Sequence, residues 1–173
     1  MTLTEVDMHT FTMGNVTTMK DMFNGCAALS TLALPANMAT PACQDMTSMF
    51  EDCAKLTELK LDTFDTTAVG TTSPTTTGFT NMFKGCASLT ELNTAADGFS
   101  VTNTKMLGGM FEGCSKLTSL DLSTWTLNTG KAVNTAAMFR NDAALTTVYV
   151  SSSWDMASIT PNNNMFEGCR AIR

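Results

Sequence analysis

Histidine is almost missing from this sequence, which contains a single copy, His9. A Ser-His-Asp or Cys-His catalytic arrangement would have to be built on that residue. His9 follows the first predicted strand, where an exposed surface side chain is the simpler interpretation. Phosphate-binding and zinc-protease patterns such as G-x-x-x-x-G-K-[ST], G-x-G-x-x-G and H-E-x-x-H are missing too. The sequence therefore predicts a non-catalytic protein that carries no cofactor.

Positive charge is also scarce, with 10 basic against 16 acidic residues and a formal net charge of −6. Proteins that follow phosphates or anionic lipids need a basic surface, so we do not expect nucleic acid as a partner. No apolar run reaches the roughly 18 residues of a membrane span. Residues 1–20 lack the basic start and apolar core of a signal peptide. We expect no membrane insertion in this segment.

The chain does contain an internal repeat, marked by the dipeptide Met-Phe. The pair occurs at 22–23, 49–50, 82–83, 110–111, 138–139 and 165–166, so successive phenylalanines are 27, 33, 28, 28 and 27 positions apart. A regular period of this length indicates an array in which each unit packs against its neighbours. We predict one solenoid domain over residues 1–173, with about five full repeats of 27–33 residues and partial ends.

The repeat register is incomplete at both ends of the chain. It opens partway through a unit at Leu3 and stops at Arg173, just where a further strand is due. Solenoids usually cover their ends with polar caps, and exposed end strands can pair with another chain. We therefore expect either a piece of a longer protein or a chain that covers its ends by association, including end-to-end self-association.

Each repeat carries a Leu-x-x-Leu-x-Leu pattern after its Met-Phe pair. The middle position is held by Leu32, Leu59, Leu92, Leu120 and Val148. The alternation of apolar and polar residues around it is typical of a half-buried strand. The predicted fold is a right-handed, leucine-rich-repeat-like solenoid, a β-rich α/β architecture with one short parallel β-strand per repeat and short helical turns.

The Met-Phe segment has a different period. Met19, Met22 and Phe23 show an i, i+3, i+4 spacing that later repeats share, and this spacing predicts one or two helical turns with an inward apolar stripe. Two residues after each phenylalanine stands a type that tolerates a left-handed backbone: Gly25, Asp52, Gly85, Gly113, Asn141 and Gly168. We interpret this column as the C-cap of each turn.

Aromatic residues are expected in two columns. The phenylalanines of the Met-Phe pairs are predicted to stack into a buried spine. A second column near the strand exits is expected from Phe11, Phe64, Phe99, Trp125 and Trp154. The 33-residue step places its extra length at residues 68–78, which should bulge from the array as an exposed loop.

Six cysteines suggest a disulfide framework, but five of them share one repeat position: Cys26, Cys53, Cys86, Cys114 and Cys169. A column of small buried thiols is the simpler interpretation, because free cysteine behaves as a small hydrophobe. Neighbouring repeats do come within disulfide range, yet a column has no reason to pair in twos. Structural zinc needs closely spaced ligands, whereas the nearest cysteines here are Cys43 and Cys53. We predict no metal site.

Stacked strands would turn their outward residues into one continuous polar surface. The candidate binding face comprises Glu58, Lys60, Asp62, Glu91, Asn93, Asp121 and Tyr149. Glu58 and Glu91 should be neighbours, and opposed like charges destabilise a sheet unless Lys60 or a bound cation relieves them. No loop pattern supports a calcium site. This face is either a solvated surface or a place where a partner binds.

The units read Met-Phe-x-Gly-Cys-x-x-Leu-Thr-x-Leu-Asp-Leu-Ser-x-aromatic, as in residues 110–125, with Asn-Val-Thr-x-Met at 15–19. This pattern resembles that of the BspA-like leucine-rich-repeat surface proteins over nearly the whole chain. The resemblance implies a repeat protein on a microbial surface or secreted, binding host, matrix or other surface proteins or glycans. It carries over no catalytic residues. Asp142 in the cysteine column, Thr94 in its strand and the 68–78 loop depart from the pattern.

Three functions are compatible with these features. The first is a surface-displayed recognition or adhesion module that binds a protein or glycan through the sheet face. The second is a structural stalk or spacer within a longer surface protein. The third is an ice-binding solenoid, because threonine is abundant; however, the threonines crowd into loops and form no repeated Thr-x-Thr ladder.

Overall fold

The computed structural model describes residues 2–36, 38, 40–94, 98–128, 132–155 and 159–172. Six short strands follow one another along the chain: β1 (Glu5–Asp7), β2 (Thr31–Ala33), β3 (Glu58–Lys60), β4 (Glu91–Asn93), β5 (Ser119–Leu122) and β6 (Thr147–Val150). The prediction of one short strand per repeat is confirmed. Within the described ranges no helix forms, so no helix there is long and apolar enough to cross a bilayer.

The strands pair in parallel but only in twos. β1 pairs with β2, β3 with β4, and β5 with β6, each in the register that places equivalent repeat positions side by side. Among the described residues no ladder joins β2 to β3 or β4 to β5. The expectation that the stacked strands form one continuous surface is therefore wrong, although the repeat register that it assumed is correct.

The prediction of helical turns in the Met-Phe segments is also wrong. The amide of Phe23 donates to the carbonyl of Met49 (2.9 Å), and that of Phe50 donates to Met82 (2.9 Å). Around the first five spine phenylalanines, the amides two positions before and two positions after the ring-bearing residue reach the next repeat in the same way. A helix would satisfy these groups four residues back in the same segment. Here the acceptors lie in the neighbouring repeat, so each segment belongs to a ladder between repeats.

Left-handed backbone makes this ladder possible. The six residues two positions after the phenylalanines have φ between 60° and 79°, so the prediction of a left-handed column is confirmed, although no helix ends there. A second column, two positions before the phenylalanines, has φ between 55° and 63°: Asp21, Ser48, Asn81, Gly109, Ala137 and Asn164. Its residue types are mostly those that tolerate this conformation, so the sequence carried a signal for it.

The phenylalanine spine is present as predicted and is buried except at its last ring, because Phe166 is 46% exposed. Rings of neighbouring repeats stack from Phe23 to Phe166 with centroid distances of 5.3 to 5.8 Å. Phe64, Phe99 and Trp125 are buried beside it, and the rings of Phe99 and Trp125 lie 5.4 Å apart. Phe11 does not join this second column, because 58% of its surface is exposed, and Trp154 is only half-buried.

The cysteine column lies against the spine. Cys53, Cys86 and Cys114 are buried, Cys26 and Cys169 are half-buried, and all six thiols of the chain are free. The thiol of Cys86 donates to the carbonyl of Phe50 in the preceding repeat (3.2 Å), and Cys53, Cys114 and Cys169 make the equivalent bond. Burial raises the pKa of the Cys53 thiol to about 12, so these thiols pack as neutral groups.

Asp142 takes the place of a cysteine in this column. It is fully buried, and neither of its carboxyl oxygens has a hydrogen-bond partner within the described part of the chain. Burial raises its pKa to about 8, the nearby backbone amides of Cys114 and Gly113 offset part of this rise, and the charge of Glu112 adds to it. In its protonated form the side chain can donate a hydrogen bond, as the thiols of the other repeats do.

The extra residues of the 33-residue step, residues 68–78, do not form a fully exposed loop. Val69, Gly70 and Gly78 are buried, and the amide of Gly70 donates to the carbonyl of Gln44 (3.1 Å). The side-chain oxygen of Gln44 also accepts bonds from the hydroxyls of Thr71 and Thr72 (2.9 and 3.1 Å). Only the tip around residues 71–76 reaches solvent, because the base of the segment is fastened to the preceding repeat.

Candidate functional site

The seven residues of the predicted face are all exposed on the strand side of the array, in two separate groups. Glu58 lies opposite Glu91 and Lys60 opposite Asn93 on the β3–β4 pair. On the β5–β6 pair Asp121 lies opposite Tyr149, whose surface is 58% exposed. The structure thus brings the predicted residues to one side of the molecule but divides them at the gap between β4 and β5.

Thr94 and Trp125 bridge the gap between β4 and β5. The hydroxyl of Thr94, a residue in the buried strand position that other repeats fill with leucine or valine, donates to the carbonyl of Asp121 (2.5 Å). The indole nitrogen of Trp125 donates to the carbonyl of Thr94 (2.8 Å). These bonds hold β4 and β5 together at their exits, so the departure at Thr94 from the repeat pattern has a structural role.

The first gap, between β2 and β3, is an open groove of about 470 Å³. Its lining comes from both strands and the residues that flank them, namely 30–32, 34–36, 56–60, 62 and 63. Glu58, Lys60 and Asp62 stand along one wall, and the half-buried Leu32 and Leu34 supply apolar surface. Sequence reasoning missed this groove, because the period alone predicts equal spacing of all the strands.

The charges of the groove wall are only partly neutralised. Asp62 accepts a hydrogen bond from the side-chain amide of Asn93 on β4. Within the described chain no carboxylate forms an ion pair with Lys60, so the expected relief of Glu58 and Glu91 by Lys60 is not seen. The exposed charges on this side are therefore free to meet a partner.

Asp121, on the second group, has a well-defined local geometry. The hydroxyl and the backbone amide of Ser123 hold the pKa of its carboxyl below the usual range, and the amide bond measures 2.9 Å. The residue stays ionised at neutral pH and lies beside the exposed ring of Tyr149. A carboxylate next to an exposed aromatic ring can bind polar and planar groups alike.

A charged column in the Met-Phe segments was missed in the sequence. After the first spine phenylalanine, which is followed by Asn24, the position after each phenylalanine reads Glu51, Lys84, Glu112, Arg140 and Glu167. Lys84 pairs with Glu51 (3.0 Å), and the Nε atom of Arg140 donates to Glu112 (2.9 Å). Alternating signs at one repeat position were visible in the sequence and could have predicted these pairs, which link the neighbouring repeats.

Among the described residues no group of three histidine, cysteine or acidic side chains is arranged to hold an ion. His9 is exposed and interacts with Asp7 two residues away, in line with the expectation of a surface side chain.

Comparisons with known proteins assign this chain to a family. A crystal structure of a leucine-rich repeat protein from Bacteroides ovatus is 17% identical, with a TM-score of 0.35 over 88% of this chain and 44% of the other. The chain thus spans less than half the length of that protein. No curated protein sequence matches it. Residues 1–77 and 71–173 match the family described as "Mycoplasma protein of unknown function, DUF285". Because these two matches together span the sequence, the chain belongs to the DUF285 family.

Proposed function

We propose that this chain is a non-catalytic recognition or adhesion module that binds a protein or glycan through its strand side. The proposal is supported by one observation above all: charged side chains line an open groove at β3 without being used up in ion pairs. Burial of such residues against a partner gives specificity, because mismatched charges are costly.

The proposal includes a right-handed, leucine-rich-repeat-like solenoid of the BspA-like type. Parallel strands joined through a crossover are right-handed in almost all proteins, and the six strands here are parallel where they pair. We place the protein on a microbial cell surface or outside the cell, with host, matrix or other surface proteins or glycans as partners. This location rests on the resemblance of the repeats to the BspA-like family.

The test is a binding screen of the purified chain against matrix proteins and glycan arrays. Any specific ligand is then titrated with Glu58→Lys, with Glu91→Lys and with the double variant. Glu167→Lys serves as the control, because Glu167 is an exposed acid in a Met-Phe segment, outside the strands. We expect weaker or altered binding only for the strand-side variants. Equal binding by all the variants would remove the strand side from the proposal.

A structural stalk is the second candidate, and the alternating ion-pair column favours it. Pairs that link neighbouring repeats, such as Glu51–Lys84 and Glu112–Arg140, suit a part whose task is to keep its length and shape. A stalk gives no specific ligand in the same screen. End-to-end association of the chain belongs to either candidate, since the outer edge of β1 can accept a strand, and sedimentation at several concentrations measures it.

A further inference from the structure

The junction between the second and third strands is closed on one side and open on the other. On the spine side Asp21 donates to Thr47 (3.0 Å) and Phe23 to Met49 (2.9 Å), and the rings of Phe23 and Phe50 stack at 5.4 Å. On the strand side β2 pairs with β1 and β3 pairs with β4. The two repeats therefore form a wedge whose open mouth is the 470 Å³ groove.

The walls of this groove carry main-chain groups that face the opening. The amide of Thr31 donates to Thr4 (3.3 Å) and the carbonyl of Ala33 accepts from Met8 (2.8 Å), so both residues face β1. Successive residues of a strand present their main-chain groups to opposite sides. The amide and carbonyl of Leu32, between them, consequently face the groove.

The same alternation applies to the other wall. The carbonyl of Thr57 accepts a bond from the amide of Thr90 and so faces β4, which turns the main chain of Glu58 and Lys60 towards the groove. Donors and acceptors of two strands thus line the opening over the length of three residues, about 10 Å of extended chain. A partner that supplies both donors and acceptors at this spacing is an extended peptide.

The side chains at the groove favour a basic peptide. Glu58 and Asp62 stand on the wall with Lys60, and Glu91 lies next to Glu58, so the acids outnumber the single base. Leu32 and Leu34, which are half-buried, add apolar surface to the lining. A peptide strand with alternating apolar and basic residues would place its apolar side chains against the leucines and its basic side chains beside the carboxylates.

We propose that the β2–β3 groove binds an extended peptide with basic side chains, which pairs with the main chain of both walls. This inference rests on the proposed function, because it names the partner of the same strand-side surface. It differs from side-chain recognition of a glycan in one respect. Here the backbone of the ligand is itself recognised, so blocking ligand amides should weaken binding even when every side chain is kept.

The experiment uses a synthetic peptide of alternating lysine and valine, capped at both ends, and the full chain. A matched peptide carries N-methyl groups on its valine amides, and a second replaces lysine by glutamate. Affinities are measured by NMR titration, and amide hydrogen exchange is followed at residues 31–33 and 58–60. We expect the N-methylated peptide to bind about tenfold more weakly, as loss of a few main-chain bonds implies. The acidic peptide should bind more weakly still, and exchange should slow in both walls.

Two outcomes overturn the inference while leaving the proposed function standing. Equal affinity of the plain and N-methylated peptides would mean that charge alone attracts them. Failure of the peptides to bind, together with a glycan hit that Glu58→Lys weakens, would assign the groove to a sugar. A chain that binds neither peptides nor any ligand in the screen would overturn both proposals at once.

Discussion

Replacing Asp142 by asparagine is expected to stabilise the protein, and to do so more strongly as the pH rises. Asp142 is buried without a hydrogen-bond partner for either carboxyl oxygen in the described part of the chain, and its pKa is raised to about 8 by burial. In the unfolded chain the same group has a pKa near 4. At pH values between these two pKa values, Asp142 therefore carries a proton in the folded state but not in the unfolded state.

The consequence for stability follows from proton linkage. Because the folded state binds the extra proton, the free energy of unfolding falls by about 1.4 kcal/mol for each pH unit between about 4 and 8. Stability linked to this group is fully present below pH 4 and is lost as the pH rises through 8. The whole effect is about 5 kcal/mol, a large part of the typical stability of a domain.

The ionisable groups near Asp142 do not cause this decrease of stability with pH. Burial holds the pKa values of the Cys114 and Cys169 thiols above their ordinary range, so these thiols stay neutral from pH 5 to 8. Glu112 is paired with Arg140. Asparagine has the shape of the protonated acid and stays neutral, and its amide can donate a hydrogen bond. The difference between the two proteins thus isolates one carboxyl group.

The assay is urea unfolding of both proteins at pH 5, 6, 7 and 8. The advantage of Asp142→Asn should grow by about 4 kcal/mol across this range. Asp52→Asn is the matched control, because Asp52 precedes Cys53 in another repeat and is exposed. Its effect should stay within about 0.5 kcal/mol at every pH. A difference for Asp142→Asn that does not change with pH, or an asparagine variant that is less stable at pH 8, would refute the reasoning.

Three further predictions concern the packing of the repeats. Phe111→Ala should lower the free energy of unfolding by about 3–5 kcal/mol, because its ring is buried. Phe11→Ala removes a ring that is 58% exposed and should lower it far less. Equal losses of stability in urea unfolding would contradict a buried spine. Gly113→Val should lower the free energy of unfolding by at least about 1–2 kcal/mol, because φ at Gly113 is 78° and valine is strained there. The measurement is thermal unfolding, and Gly14→Val is the control because the space around Gly14 is open. Titration of the denatured protein with a thiol reagent should find six free thiols, and fewer would show that some cysteines are paired.

Much of the repeat was predictable because it depends on side chains at a fixed spacing. Equivalent positions come to lie side by side once neighbouring strands take the same register, as Leu59 and Leu92 do. The stacking of Phe50 on Phe83 follows from the same register. The glycine-rich column could be placed because few residue types accept a left-handed backbone. The prediction that this column ends helical turns was wrong, because the i, i+3, i+4 spacing of methionine and phenylalanine occurs both in a helix and in this ladder between repeats.

The candidate site was predictable only in part. Alternation along each strand placed Glu58 and Lys60 on the outside, since successive side chains of a strand point to opposite faces. It did not predict the gap beside them. Whether two neighbouring strands pair depends on how the chain between them packs, and the connection from β2 to β3 has no signature in the Leu-x-x-Leu-x-Leu pattern. The exposure of Phe11 was missed for a related reason, because burial depends on which repeat covers it.

The sequence by itself determined the period, the strands, the spine and the polar side of the molecule, because these follow from residue type and spacing within a repeat. Only the tertiary structure decided which strands pair, where the groove opens and which hydrogen bonds replace those of a helix. It also decided that Asp142 is buried with no hydrogen-bond partner for its carboxyl oxygens among the described residues. These features depend on backbone groups that lie one repeat apart in the chain, and such groups meet only when the neighbouring repeats have packed.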